Sequence, residues 1–228
     1  LARALPTFPV KMPSVPNVEK GSLVIVGGGG MPEAVTKKFI ELAGGPEALI
    51  VVLPTAVPDV IARRQRVPRY LTAAGAKNVK VLPVNTPAEL AAAEFIEVLK
   101  KASGVWFGGG RQWRFVDAYD GSGAVKLFHD VLRRGGVIGG SSAGASIQAE
   151  YMVRGHPLGN RVMMAEGYER GFNFLPGVAI DQHFSQRKRF ADMTSVMETF
   201  PQLLGIGIDE ATALVVQGHT ANIIGRRS

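Results

Sequence analysis

The chain has 228 residues, 46% of them hydrophobic and 20% charged, enough to bury the core of one globular domain and too little for two. No stretch approaches the roughly 18 uninterrupted apolar residues of a membrane span, and the absence of cysteine excludes disulfides, thiolate metal sites and a cysteine nucleophile. The net charge of +7 comes from scattered basic residues, tightest at Arg63-Arg64-Gln65-Arg66, Arg133-Arg134 and Arg187-Lys188-Arg189, and with 7% aromatics and no stacking motif it points away from nucleic acid.

Residues 1–20 carry Pro6, Pro9, Pro13 and Pro16 and predict an extended arm, with residues 21–228 forming a single α/β domain. From Ser22 onward, strand-like runs fall at Leu23–Val26, Leu49–Leu53, Val79–Val84, Gly104–Phe107, Val137–Gly139, Val178–Ile180, Gly205–Ile208 and Ala213–Val216. Helical patterns separate the early ones, at Glu33–Ala43, Ile61–Ala74, Pro87–Lys101 and Gly123–Arg134. This alternation predicts a doubly wound, mostly parallel sheet with helices on both faces. The run Ile223-Ile224-Gly225 reads as a last strand expecting continuation. The first residue is Leu1 rather than methionine, which leaves open both a cytoplasmic protein and one secreted after removal of a leader.

In such a sheet, sites gather beyond the carboxyl ends of the strands. Gly27-Gly28-Gly29-Gly30 follows the first strand, but it has no G-x-G-x-x-G register and no acidic residue closes a second strand near Leu53. A tight structural turn fits it better than a phosphate loop, and no nucleotide cofactor is expected. Gly108-Gly109-Gly110-Arg111-Gln112 follows the fourth, where the amides of Gly109 or Gly110 are candidates for an oxyanion contact. Gly140-Ser141-Ser142-Ala143-Gly144 follows the fifth and fits G-x-S-x-G, a strand-to-helix turn that thrusts the Ser142 hydroxyl out at the sheet edge. Glycine is required at Gly140 and Gly144 because bulk there meets the adjoining strand or helix, and the Ala143 amide points toward a developing oxyanion. An ordinary glycine-rich strand end fits the motif equally well.

Asp181-Gln182-His183 follows the sixth strand. Of the four histidines, His129, His156, His183 and His219, only His183 ends a buried-looking strand inside a polar cluster, which makes it the candidate general base. Taken together in this order, Gly108-Gly109-Gly110-Arg111-Gln112, Ser142-Ala143-Gly144-Ala145, Ala179-Ile180-Asp181-Gln182-His183-Phe184 with Arg187 and Arg189, and Gly205-Ile206-Gly207-Ile208-Asp209-Glu210 resemble the cyanophycinase and peptidase E family of serine peptidases, over about Ser22 to Ile224.

The resemblance implies a class I glutamine-amidotransferase-like, flavodoxin-like three-layer sandwich, in which a serine replaces that fold's usual cysteine and hydrolyses amide bonds beside aspartyl residues. Peptidase E removes an N-terminal aspartate from dipeptides, whereas cyanophycinase releases β-aspartyl-arginine from a polymer whose aspartate backbone carries arginine on each side chain. The spaced arginines after Asp-Gln-His are similar to the cyanophycinase branch. A small peptide or an aspartyl-arginyl polymer is thus the expected partner, a homodimer is implied, and no metal or cofactor is needed.

By the same resemblance Ser142 is the nucleophile, His183 the base, the Gly110 and Ala143 amides the oxyanion donors, and Gln112, Asp181, Gln182, Arg187 and Arg189 the substrate pocket. Arg187 and Arg189 are suited to clamp carboxylates, and Asp181 to pair with a substrate cation. Asp192 stands where the branch has a further arginine. The family also places a triad acid in the loop that here spans Tyr151–Arg161, which holds no carboxylate. Asn160 is the candidate orienter of His183 in that loop, with Glu166, Glu169 and Glu210 as alternatives. Two other classes stay open: a pseudoenzyme binding aspartyl or arginyl ligands, which fits the missing loop acid, and an α/β-hydrolase esterase, whose late histidine would have to be His219.

Overall fold

The structure is a computed structural model and describes residues 8–9 and 15–226, so most of the arm assigned to residues 1–20 lies outside the described residues. Within that stretch Phe8 stacks on Tyr151 with ring centroids 5.9 Å apart, and the first strand, β1 (Val18–Val26), already begins. The chain then runs through α1 (Glu33–Ala43), β2 (Ile50–Leu53), α2 (Asp59–Ala62), α3 (Arg69–Ala73), β3 (Val79–Val81), α4 (Pro87–Leu90) and α5 (Ala93–Lys101). Next come β4 (Gly104–Phe107), α6 (Trp113–Tyr119), α7 (Gly123–Arg133), β5 (Val137–Ser141) and α8 (Ala143–Ser146). The last part holds β6 (Ala149–Tyr151), β7 (Leu175–Gln182), α9 (Phe190–Thr199), β8 (Leu204–Ile208), β9 (Thr212–Gly218) and β10 (Thr220–Gly225).

Seven strands make the main sheet in the order β10-β9-β1-β5-β4-β2-β3. The five from β1 to β3 in that order are mutually parallel, and β9 and β10 add an antiparallel edge. Side chains alternate along these strands, so each feeds two cores. Leu23 and Ile25 of β1, with Val105 and Phe107 of β4, face Phe115, Phe128 and Val131 on α6 and α7. Val24 and Val26, with Ile50, Val52 and Trp106, face Val35, Phe39 and Ile40 on α1. This is the expected three-layer α/β sandwich with a mostly parallel sheet. Among the described residues no helix is long and apolar enough to cross a membrane.

Two departures from the sequence expectations have physical causes. The helix expected over Ile61–Ala74 is two short ones, because Pro68 offers no amide and holds its predecessor out of helical geometry. The strands expected at Val178–Ile180 and Gly205–Ile208 do not join the main sheet. They form a second parallel sheet, β6-β7-β8, whose Val178 and Ile180 enter the first core while Ala179 packs beneath Met193 and Val196 of α9. The carboxyl ends of the two sheets meet.

Candidate active site

Ser142 sits between the end of β5 and the start of α8 with φ 57° and ψ −111°, a left-handed backbone that an L-residue adopts only under constraint. The constraint is visible on both sides. The Ser142 amide donates to the Val26 carbonyl at 3.0 Å, a Cβ on Gly140 would meet the Gly144 carbonyl oxygen, and a Cβ on Gly144 would meet that of Phe107. The turn therefore closes only with glycine at both places. Ala143 is the first residue of α8, so its amide is among those a helix leaves without an internal acceptor.

The small sheet brings the partners. His183 follows β7 directly, also with positive φ (51°), and its amide donates to the Gly27 carbonyl at 2.7 Å. Its Nε2 lies 2.9 Å from Ser142 Oγ, and its Nδ1 lies 2.5 Å from Glu210 Oε1. Glu210 stands in the turn between β8 and β9, fixed by a hydrogen bond from its amide to Gln186 Oε1 at 2.9 Å and by the Ala211 amide donating to the Gly28 carbonyl, also at 2.9 Å. In the same turn Asp209 accepts hydrogen bonds from the amide and hydroxyl of Ser185. Ser142, His183 and Glu210 thus form one hydrogen-bonded chain from hydroxyl to imidazole to carboxylate.

The Gly27–Gly30 run proves to be the seat of this chain. A Cβ on Gly28 would lie 2.5 Å from His183 Nε2, and one on Gly29 would lie 2.8 Å from Glu210 Oε2. The imidazole and carboxylate lie on bare backbone where other residues would hold them off. Burial pulls the His183 imidazole below its usual pKa; the Glu210 hydrogen bond opposes this and the Arg187 charge adds to it. This favours the neutral imidazole, whose Nε2 can accept a proton while Glu210 holds that of Nδ1.

Asn160 does not reach this chain. Glu210 occupies Nδ1, and Asn160 instead offers its backbone carbonyl to Arg154 Nη1 at 2.9 Å. On the other wall, Gly109 abuts Ser142, with a Cβ there falling 3.6 Å from Ser142 Cβ, whereas Gly110 (φ 145°) faces Ala56. Among the described residues no backbone carbonyl takes the amides of Gly109 and Gly110, while those of Gly108 and Arg111 bond to Leu53 and Ala56.

The expected pocket residues divide. Arg187 is exposed, but Gln112, Asp181, Gln182 and Arg189 are buried. Gln112 Nε2 donates to the Val153 carbonyl at 2.8 Å, and Arg189 Nη1 donates to Asp181 Oδ1 at 2.8 Å and to the Gln182 carbonyl at 2.6 Å. The expectation that Asp181 meets a substrate cation needs correction: with 0% exposure, it already takes Arg189 on one oxygen and is gripped along both by Arg154, whose Nη2 lies 2.8 Å from Oδ2. The same Nη2 also reaches Asp192 at 2.7 Å. Arg154 was not anticipated from sequence. It lies in the loop where a triad acid was sought, and it anchors that loop to β7 and α9.

The family model described as Peptidase family S51 matches residues 21–224, most of the chain. The chain belongs to peptidase family S51. It is accordingly a serine-type peptidase. Among the relatives of this S51 chain, the cyanophycinase of Geminocystis herdmanii is 29% identical over 205 residues, covering 87% of this chain and 75% of that protein. The cyanophycinase of Thermosynechococcus vestitus is 30% identical over 219 residues, covering 92% and 67%. Two solved structures share the S51 chain's fold. A peptidase from an acI-B1 actinobacterium superposes with TM-score 0.65 at 24% identity, over 91% of this chain and 88% of that one. A putative peptidase E protein from Listeria monocytogenes gives 0.64 at 16%, over 91% and 99%.

Proposed function

We propose that Ser142 is the nucleophile, His183 the general base and Glu210 its orienting acid in hydrolysis of amide bonds at aspartyl residues. The Ser142–His183–Glu210 hydrogen-bonded chain at the glycine-flanked turn is the observation that carries this. In the first half-reaction Oγ attacks the amide carbonyl carbon as its proton passes to Nε2. The amides of Ala143, Gly109 and Gly110, which no backbone carbonyl takes among the described residues, are the donors for the oxygen that becomes negative. The Nε2 proton then goes to the departing nitrogen as the C–N bond breaks, leaving an ester on Ser142. In the second half-reaction Nε2 takes a proton from water, the hydroxide carbon–oxygen bond forms, and the serine leaves with its proton restored. Glu210 holds the tautomer in which Nε2 is free and stabilises the imidazolium of each step.

For the substrate we favour an arginine-bearing aspartate polymer, as the names of the cyanophycinase relatives suggest. A second possibility, α-aspartyl dipeptides, draws support from the engagement of Asp181 by Arg154 and Arg189, which removes one counter-charge for a substrate arginine. Incubating the parent protein and Ser142→Ala with cyanophycin and with α- and β-aspartyl dipeptides tests the mechanism and the linkage together. The expected result is hydrolysis by the parent alone; equal hydrolysis by Ser142→Ala refutes the mechanism.

A further inference from the structure

Beyond the Ser142 chain, a cavity of about 270 Å³ opens at the carboxyl ends of β2 and β4, walled by Thr55, Val57, Asn85, Trp113, Arg114 and Asp117. That volume has room for one side-chain-sized unit rather than a whole drug-like ligand. Two touching loops connect it to Ser142. Gly109 lies against Ser142, Gly110 lies against Ala56, and the Arg111 amide donates to the Ala56 carbonyl at 2.8 Å. Ala56 itself sits between Thr55 and Val57 of the cavity wall.

The wall carries two opposite charges that do not neutralise each other. Arg114 and Asp117 are three residues apart on α6 and therefore share a helix face. Among the described residues neither has an ion-pair partner, unlike the buried arginines at Asp181. The Arg114 guanidinium lies 4.4 Å from the centroid of the Trp113 ring; its Nε is buried without a hydrogen-bond partner, and its terminal N–H groups are left for an anion. Asp117 accepts the Tyr168 hydroxyl on Oδ1 at 2.9 Å, with Oδ2 left for a cation. Asn85 spends its Nδ2 on Asp59 at 2.8 Å, so its side-chain oxygen adds a second acceptor.

An arginine joined to an aspartate side chain through its α-nitrogen presents a free carboxylate and a guanidinium on one flexible unit. We propose that this cavity is a subsite for such an arginyl unit, with Arg114 taking the carboxylate and Asp117 the guanidinium. The subsite rests on the arginine-bearing substrate favoured above and supplies the counter-charge that Asp181 has already given to Arg154 and Arg189.

The test compares the parent with Asp117→Asn and Arg114→Gln on two aspartate oligomers of equal length, one carrying arginine on every side-chain carboxylate and one bare. The parent is expected to favour the arginine-bearing oligomer. Each variant raises KM for it by about tenfold with kcat within about twofold, so that the kcat/KM ratio between the oligomers falls toward one. A ratio unchanged in both variants overturns the subsite. A parent that cleaves bare aspartyl substrates without preferring the decorated one also overturns it while the aspartyl peptidase stands. A parent inert on every aspartyl substrate overturns both.

Discussion

Replacing Gly28 by alanine adds one carbon atom where the His183 ring now rests. That Cβ would lie 2.5 Å from Nε2 and 2.9 Å from Nδ1, about 1 Å inside the usual 3.5 Å contact limit. The other atoms that crowd the position belong to the same ring, so relief comes chiefly from moving the imidazole. A shift of about 1 Å breaks the 2.9 Å contact to Ser142 and the 2.5 Å contact to Glu210 together, and misplacement of that size costs on the order of 100-fold in rate. Alanine at the Gly28 φ of 103° also strains the backbone by about 1–3 kcal/mol, which lowers Tm by roughly 2–12 °C for a domain of this size. Gly30 is the internal control: a Cβ there meets nothing within 4 Å. Labelling of Ser142 by a fluorophosphonate measures serine reactivity without presuming a substrate, and thermal melts measure folding. Gly28→Ala should stay folded and label about 100-fold slower, with Gly30→Ala close to the parent. A folded Gly28→Ala that labels as fast as the parent refutes the role of this glycine as the imidazole's seat.

Glu210→Gln keeps the shape but loses the charge and favours the wrong tautomer, so kcat should fall by about 100-fold or more, while Asn160→Ala should leave kcat within about twofold; the reverse pattern in steady-state kinetics would restore the asparagine. Because burial and Arg187 hold the His183 imidazole below its usual pKa, kcat/KM should rise with pH along an acid limb centred below the ordinary histidine pKa, where the imidazole loses its proton. Arg187→Gln removes one depressing charge and should move that acid limb to higher pH; a shift to lower pH refutes the assignment. Arg154→Met strips the fully buried Asp181 of its bidentate partner and should cost about 3 kcal/mol, read as a Tm fall of roughly 6–12 °C. Adding Asp181→Asn should recover part of that loss, and strictly additive melts would show that the two residues do not interact.

Much of the sheet was legible because buried parallel strands are written as short apolar runs: Ile50–Leu53, Gly104–Phe107 and Val137–Gly139 all lie where their composition puts them. Sheet membership was not legible, since Val178–Ile180 reads the same whether it pairs with β1 or, as it does, with Leu204–Ile206. Pairing is a long-range choice that composition does not encode. Ser142 and His183 were marked by turn chemistry and by position at strand ends. Their approach to 2.9 Å depends on two sheets meeting, which no local pattern expresses. Glu210 was legible only as one of several acids because the family order points to the Tyr151–Arg161 loop, whereas the carboxylate that meets His183 Nδ1 comes from the turn between β8 and β9. Arg154 left no local signal at all: its role exists only through Asp181, distant in sequence and buried with it.

The serine and its partners come from different ends of the chain. The strands that bend Ser142 into its turn, β1, β4 and β5, all precede residue 150, whereas His183 and Glu210 follow it. Without these two, nothing near the hydroxyl can take its proton, and a serine without a base is a poor nucleophile. A fragment that ends before β7 would therefore hold the proposed nucleophile without its base. The proposed base and its acid arrive only when β7, β8 and the turn before β9 dock against Gly27 and Gly28.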